Sequence, residues 1–194
     1  MIYPYILTLS ILTWGIIPFR QFKKKFFIFF LILALMDPII ITAFLLFHVD
    51  PLRIYVPLVL LSIYSLFEVK TIKKNIFLFI LIIASSLVFS FLGNNELLRI
   101  CLMFLILVTF IIFFKFALIE LYKEEHINIF YFVLCVYEIS LLLKFMLEII
   151  NIKTGAIFFI LSLLFEVFIG TYFIIYNEVT SPKIKLKLSS EKML

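Results

Sequence analysis

The sequence predicts an all-α fold: a polytopic membrane protein, a seven-transmembrane-helix bundle with short loops. Three observations carry this. The chain of 194 residues is 65% hydrophobic and only 15% charged, where a soluble domain is about half apolar and a quarter charged. Its mean hydropathy is +1.26. Its apolar residues also fall into seven runs of about 20 residues, the length that crosses ~30 Å of hydrocarbon at 1.5 Å per residue.

The first run, residues 2–19, has no basic n-region and no small-x-small cleavage site, so it is expected to stay in the mature protein. RQFKKK separates it from the second, 26–47, which ends at HVD. The third, 51–69, is closed by KTIKKN and the fourth, 76–93, by NNELL. The fifth, 99–119, is followed by ELYKEEH, the sixth, 127–150, by NIKT, and the seventh is 155–176. Breaks this short predict that helices adjacent in sequence are antiparallel neighbours. No run alternates as a barrel strand does. Residues 1–176 form the transmembrane domain and 177–194 a basic tail, with no room for a second domain. An echo between SLFEV (65–69) and LLFEV (163–167) puts its glutamates at different depths and is read as chance.

Lys and Arg accumulate on the cytoplasmic side of membrane proteins. With the N-terminus outside, the inner segments hold Arg20, Lys23, Lys24, Lys25, Lys70, Lys73, Lys74, Lys123, Lys183, Lys185, Lys187 and Lys192, and the outer loops hold Arg53, Arg99 and Lys153. The predicted placement is a multi-pass protein of the cell (inner) membrane, N-terminus outside and C-terminus cytoplasmic. The abundance of Phe (26), with Ile, Lys and Asn, points to an AT-rich, bacterial genome. In the tail, PKIKLKL alternates bases with Ile184, Leu186 and Leu188. Two readings fit: a basic segment lying on anionic headgroups, or a docking strand for a cytoplasmic partner.

Ionisable residues inside the runs are the functional candidates. Asp37, Glu138 and Glu166 are each central in their spans. A charge at that depth costs about 2.5–3.5 kcal/mol on insertion scales, so such side chains turn towards the bundle interior. Gly155, Ser162, Glu166, Gly170 and Asn177 stack on one face of the seventh helix, and Ser86, Ser90 and Gly93 form a similar seam on the fourth. Pro38 removes the donor for the Ala34 carbonyl beside Asp37. That pattern builds a polar pocket, or simply bends a helix around its neighbour. Lys144 is six residues from Glu138, roughly 120° around the helix, so the two are not expected to share a face. Its side chain either snorkels outward or leans towards the midplane, where Glu166 on the next helix is the first candidate partner and Asp37 the second. Lys115 and Glu68 either form a second pair on the cytoplasmic side or snorkel independently to headgroups, and Trp14, Tyr3, Tyr5, Tyr55, Tyr122 and Tyr176 are read largely as aromatic belts.

Cys101 and Cys135 lie at different depths, too far apart for a disulfide, and are read as apolar filler. His48 and His126 fall at opposite ends of their spans, which argues against a shared metal or haem site. No phosphate loop, cysteine pair or nucleophile–base pair is present, so neither an enzyme nor a cofactor is expected. The expected partners are the lipid bilayer and a cytoplasmic signalling protein reached through the tail, with no nucleic acid. The expected function is a ligand-sensing or regulatory membrane module. The alternative is a small proton-coupled transporter using the midplane carboxyls.

Overall fold

A computed structural model describes residues 3–67, 76–150 and 156–185. Among them lie seven α-helices: α1 (Tyr3–Arg20), α2 (Phe27–Phe47), α3 (Pro51–Ser65), α4 (Ile76–Leu92), α5 (Asn95–Glu124), α6 (Ile129–Ile149) and α7 (Ala156–Ile175). Two short strands, β1 (His126–Asn128) and β2 (Lys183–Lys185), pair antiparallel with Ile127 opposite Ile184.

The chain is all-α in character, and the expectation of seven full spans is met in part. Phe27–Phe47, Asn95–Glu124 and Ile129–Leu147 are long and apolar enough to cross a membrane, whereas Pro51–Ser65, Ile80–Leu92 and Ile160–Ile175 are apolar but shorter. The end of α3 has a local cause. Ser62 and Ser65 turn their hydroxyls onto the carbonyls of Val59 and Ser62, at 2.7 and 2.6 Å, competing with the helical ladder. The fifth helix is longer than residues 99–119. Asn94 accepts a hydrogen bond from the Leu97 amide at 2.8 Å, Glu96 and Lys123 suit the two ends of the helix dipole, and Glu125 ends it in the left-handed region at φ 54°. The sixth helix starts later than residue 127 because residues 126–128 are drawn into the sheet.

Six helices close a ring. α1 packs on α2 and α7, α3 on α2 and α5, and α6 on α5 and α7. α4 stands outside, packed chiefly on α3, while α5 makes its broad contacts with α3 and α6. Ser90 is fully buried on the inner face of α4 while Leu81, Val88 and Phe91 face outward. The contact of α1 with α7 depends on Gly170, where a Cβ would sit 2.7 Å from the Thr13 methyl. That methyl is held in place because the Thr13 hydroxyl donates to the Leu9 carbonyl at 2.8 Å.

Two apolar clusters fill the ring. The larger joins Trp14, Ile17, Phe26, Phe29, Phe30, Phe113, Phe130, Leu134 and Phe173, and the smaller Val56, Leu98, Leu102, Ile106 and Phe145. In the larger, rings meet edge-on, as Phe29 and Phe113 do at 5.1 Å and Phe130 and Phe173 at 5.3 Å. The outer surface is equally apolar: Phe19, Phe77 and Phe168 are 83%, 79% and 73% exposed, positions that suit lipid and not water. Trp14 departs from its belt reading, being 6% exposed in the core, whereas Tyr5 and Tyr122 remain exposed at helix ends. Cys101 and Cys135 are free thiols packed with different clusters.

The two ends of the bundle are tied differently. At one, Asp50 accepts from the Leu52 amide and the Asn95 side chain, and Arg53 donates to the Phe91 carbonyl at 2.7 Å. At the other, Gln21 donates to the carbonyls of Phe173 and Tyr176, both at 3.0 Å, closing the end of α7. There the Lys25 amide donates to Glu178, and β2 returns to β1.

Candidate functional site

Between the two clusters the ring encloses a cavity of about 200 Å³. Every helix except α4 lines it. Its polar wall is Asp37, Tyr55, Ser62, Thr109, Tyr137, Glu138, Lys144 and Glu166, and Trp14, Met36, Leu141 and Leu163 belong to the rest.

On α2, Asp37 faces the cavity while Pro38 lines an apolar groove on the outer surface beside α1. The Tyr55 hydroxyl of α3 donates to Asp37 Oδ1 at 3.0 Å. Tyr55 is therefore part of the polar site, which corrects its belt reading. On α6, Tyr137, Glu138, Leu141, Lys144 and Phe145 all line the cavity. This overturns the expectation that Glu138 and Lys144 occupy separate faces. Those residues follow the recurrence of a helix's inward stripe, which spans 100° or more of its circumference, so both side chains fall within one wall.

Lys144 Nζ lies 3.6 Å from Glu166 Oε1 across the α6–α7 contact, with side chains 24% and 12% exposed. That separation is an ion pair, longer than a hydrogen bond. Glu138 differs. It is 3% exposed, and among the described residues its carboxyl has no hydrogen-bond or ion-pair partner. The Ser62 and Thr109 hydroxyls donate to carbonyls of their own helices, Val59 at 2.7 Å and Leu105 at 3.0 Å, leaving oxygen lone pairs for the cavity.

Ser162 is half-buried and does not line the cavity. Its stripe divides its tasks: Glu166 faces the cavity, Gly170 admits α1, and Asn177 accepts from the Val179 and Thr180 amides. Gly155, Glu68, the side chain of Glu148 and the tail from residue 186 lie outside the described residues. Lys115 is exposed. Among the described residues, no group of three or more His, Cys, Asp or Glu side chains is placed to hold a metal ion.

A second polar cluster ties the sheet to the helices. Lys183 bridges Glu120 at 3.1 Å and Glu124 at 2.7 Å, and hydrogen bonds to Glu124 and Glu120 raise its ammonium above the ordinary lysine range. Asn128 donates to Glu120 and to the Glu178 carbonyl, and accepts from the Phe130 amide. Residues 183–185 are thus paired within the chain, which corrects the reading of Lys183 as free for headgroups. Gln21 and Asn128 escaped sequence reasoning, because a single amide in a polar loop carries no periodic signal.

No protein-family model, no curated protein and no solved structure matches the chain, so the chemistry of the cavity carries the functional reading.

Proposed function

We propose that this chain is an integral membrane protein of seven spans, N-terminus outside and C-terminus cytoplasmic, that holds a small polar ligand in its bundle and signals occupancy to a cytoplasmic partner. The position of the cavity supports this best. On every ring helix that contributes to both, the large aromatic cluster lies on the tail side of the cavity: Trp14 and then Ile17 on α1, Asp37 and then Phe30 on α2, Glu166 and then Phe173 on α7. A solute passing through would have to part this close-packed plug, whereas a solute that binds and leaves by the other end would not.

The plug also links the cavity to the tail. Tyr137 lies tilted against Trp14 with ring centroids 4.8 Å apart, and Trp14 meets Phe173 at 6.4 Å. Gln21 holds the Phe173 carbonyl, and the neighbouring Tyr172 hydroxyl is 2.7 Å from that of Ser181, two residues before β2. The second reading, proton-coupled transport, draws on Glu138, a buried carboxyl without a partner among the described residues. Reconstituted vesicles under a pH gradient separate the two. The sensing reading expects no gradient-dependent uptake from a mixed pool of amines, amino acids and sugars; uptake that stops when the gradient is collapsed rejects it.

A further inference from the structure

We infer that the cavity is a binding site for a small organic cation, an ammonium group on a short apolar or aromatic body, with Glu138 as its counter-ion. The inference rests on the reading that the cavity binds a ligand, and it names the chemical class.

Charge comes first. Asp37 receives the Tyr55 hydroxyl at 3.0 Å and Glu166 is matched by Lys144 at 3.6 Å. Glu138 is 97% buried (3% exposed), faces the cavity and has no partner among the described residues. Burying an ionised carboxylate alone is costly, so a bound cation would restore what the protein leaves missing. Hydrogen-bonding sense agrees. The hydroxyl protons of Tyr55, Ser62 and Thr109 are committed to Asp37 or to backbone carbonyls. What these groups offer inward is lone pairs, which suits an ammonium with its three donors and no acceptor. An anion would find Lys144 already paired.

Shape and polarity supply the body of the ligand. Trp14 and Tyr137, with ring centroids 4.8 Å apart and planes tilted by 39°, share the wall with Glu138, and Tyr137 is its neighbour in sequence; aromatic faces attract cations. Leu141 and Leu163 complete an apolar side. At about 200 Å³ the space is below the roughly 300–1,000 Å³ of pockets for drug-sized ligands, so the ligand is a small amine.

Three isosteric probes test this on the full-length protein in detergent: phenethylammonium, 2-phenylethanol and phenylacetate, each titrated to millimolar concentration while the melting midpoint is followed. Phenethylammonium alone should raise the midpoint in a saturable manner. Glu138→Gln, which keeps the shape, should weaken its affinity by about tenfold or more, and Leu141→Trp should abolish the shift by filling the cavity. If Glu138→Gln proves unstable, the ordering of the three probes on the unaltered protein decides. Equal stabilisation by the alcohol or the acid, a cation effect that survives Glu138→Gln, or no shift with phenethylammonium each overturns the proposal. Stabilisation by phenylacetate that Leu141→Trp removes would do so while leaving the cavity as a ligand site.

Discussion

Lys144 and Glu166 each carry a charge that the bundle interior would not tolerate alone. Their separation of 3.6 Å and low exposure put them in the regime where losing one partner costs far more than losing both. Lys144→Met and Glu166→Gln should each destabilise the protein by about 3 kcal/mol, the lower end of the range for buried pairs. The double variant should recover most of the loss in a thermal-denaturation cycle; additive losses would mean the two act independently. Tyr55→Phe should cost about 1–2 kcal/mol by removing the donor to Asp37, and Tyr55→Phe with Asp37→Asn should cost less than the sum. The ionisable part of the site was legible in sequence, since an acid or base central in an apolar run has few other places to go. The aromatic part was not. Tyr55 and Trp14 lie near span ends, where belt and core positions share one pattern, and only the third dimension separates them.

At the scale of elements, the α1–α7 contact is set by one missing side chain. Gly170→Ala places a methyl 2.7 Å from the Thr13 methyl, and overpacking of this kind typically costs about 1–3 kcal/mol. Adding Thr13→Ser, which keeps the hydroxyl bond to Leu9 and deletes the methyl, should restore the melting midpoint; no restoration would place the strain elsewhere. Asn128→Ala removes three hydrogen bonds at the α5–α6 linker, so limited proteolysis should cut the linker and residues 177–185 faster while α2 and α3 keep their protection. The extended character of 183–185 could be read from the alternation in PKIKLKL. Its mate could not, because HIN is three residues between two long helices and shows no period. Sequence could not rank the neighbours: a short loop brings the ends of α4 and α5 together, yet the broad contacts of α5 are with α3 and α6.

For the whole molecule, the proposed orientation rests on charge. A reporter fused after Leu194 should be active only in the cytoplasm, and one placed in the 48–50 loop only outside. The reverse pair of results would overturn the orientation. Hydrophobic runs announced the helices, because each must satisfy its backbone internally in lipid. The ring, and the cavity at its centre, depended on which faces met, and that information is spread over single residues such as Ser62, Thr109 and Leu163 that look ordinary in a chain this apolar.

The pairing of β2 with β1 bears on truncation. Lys183 reaches back to Glu120 and Glu124, and Glu178 to Lys25, so the segment that locks the tail-side end follows all the described helices in the chain. Helix packing and final locking can therefore be separated by truncation: a chain ending at Tyr176 keeps every described helix but lacks Glu178 and Lys183, and leaves the Glu120 and Glu124 carboxylates without their cation.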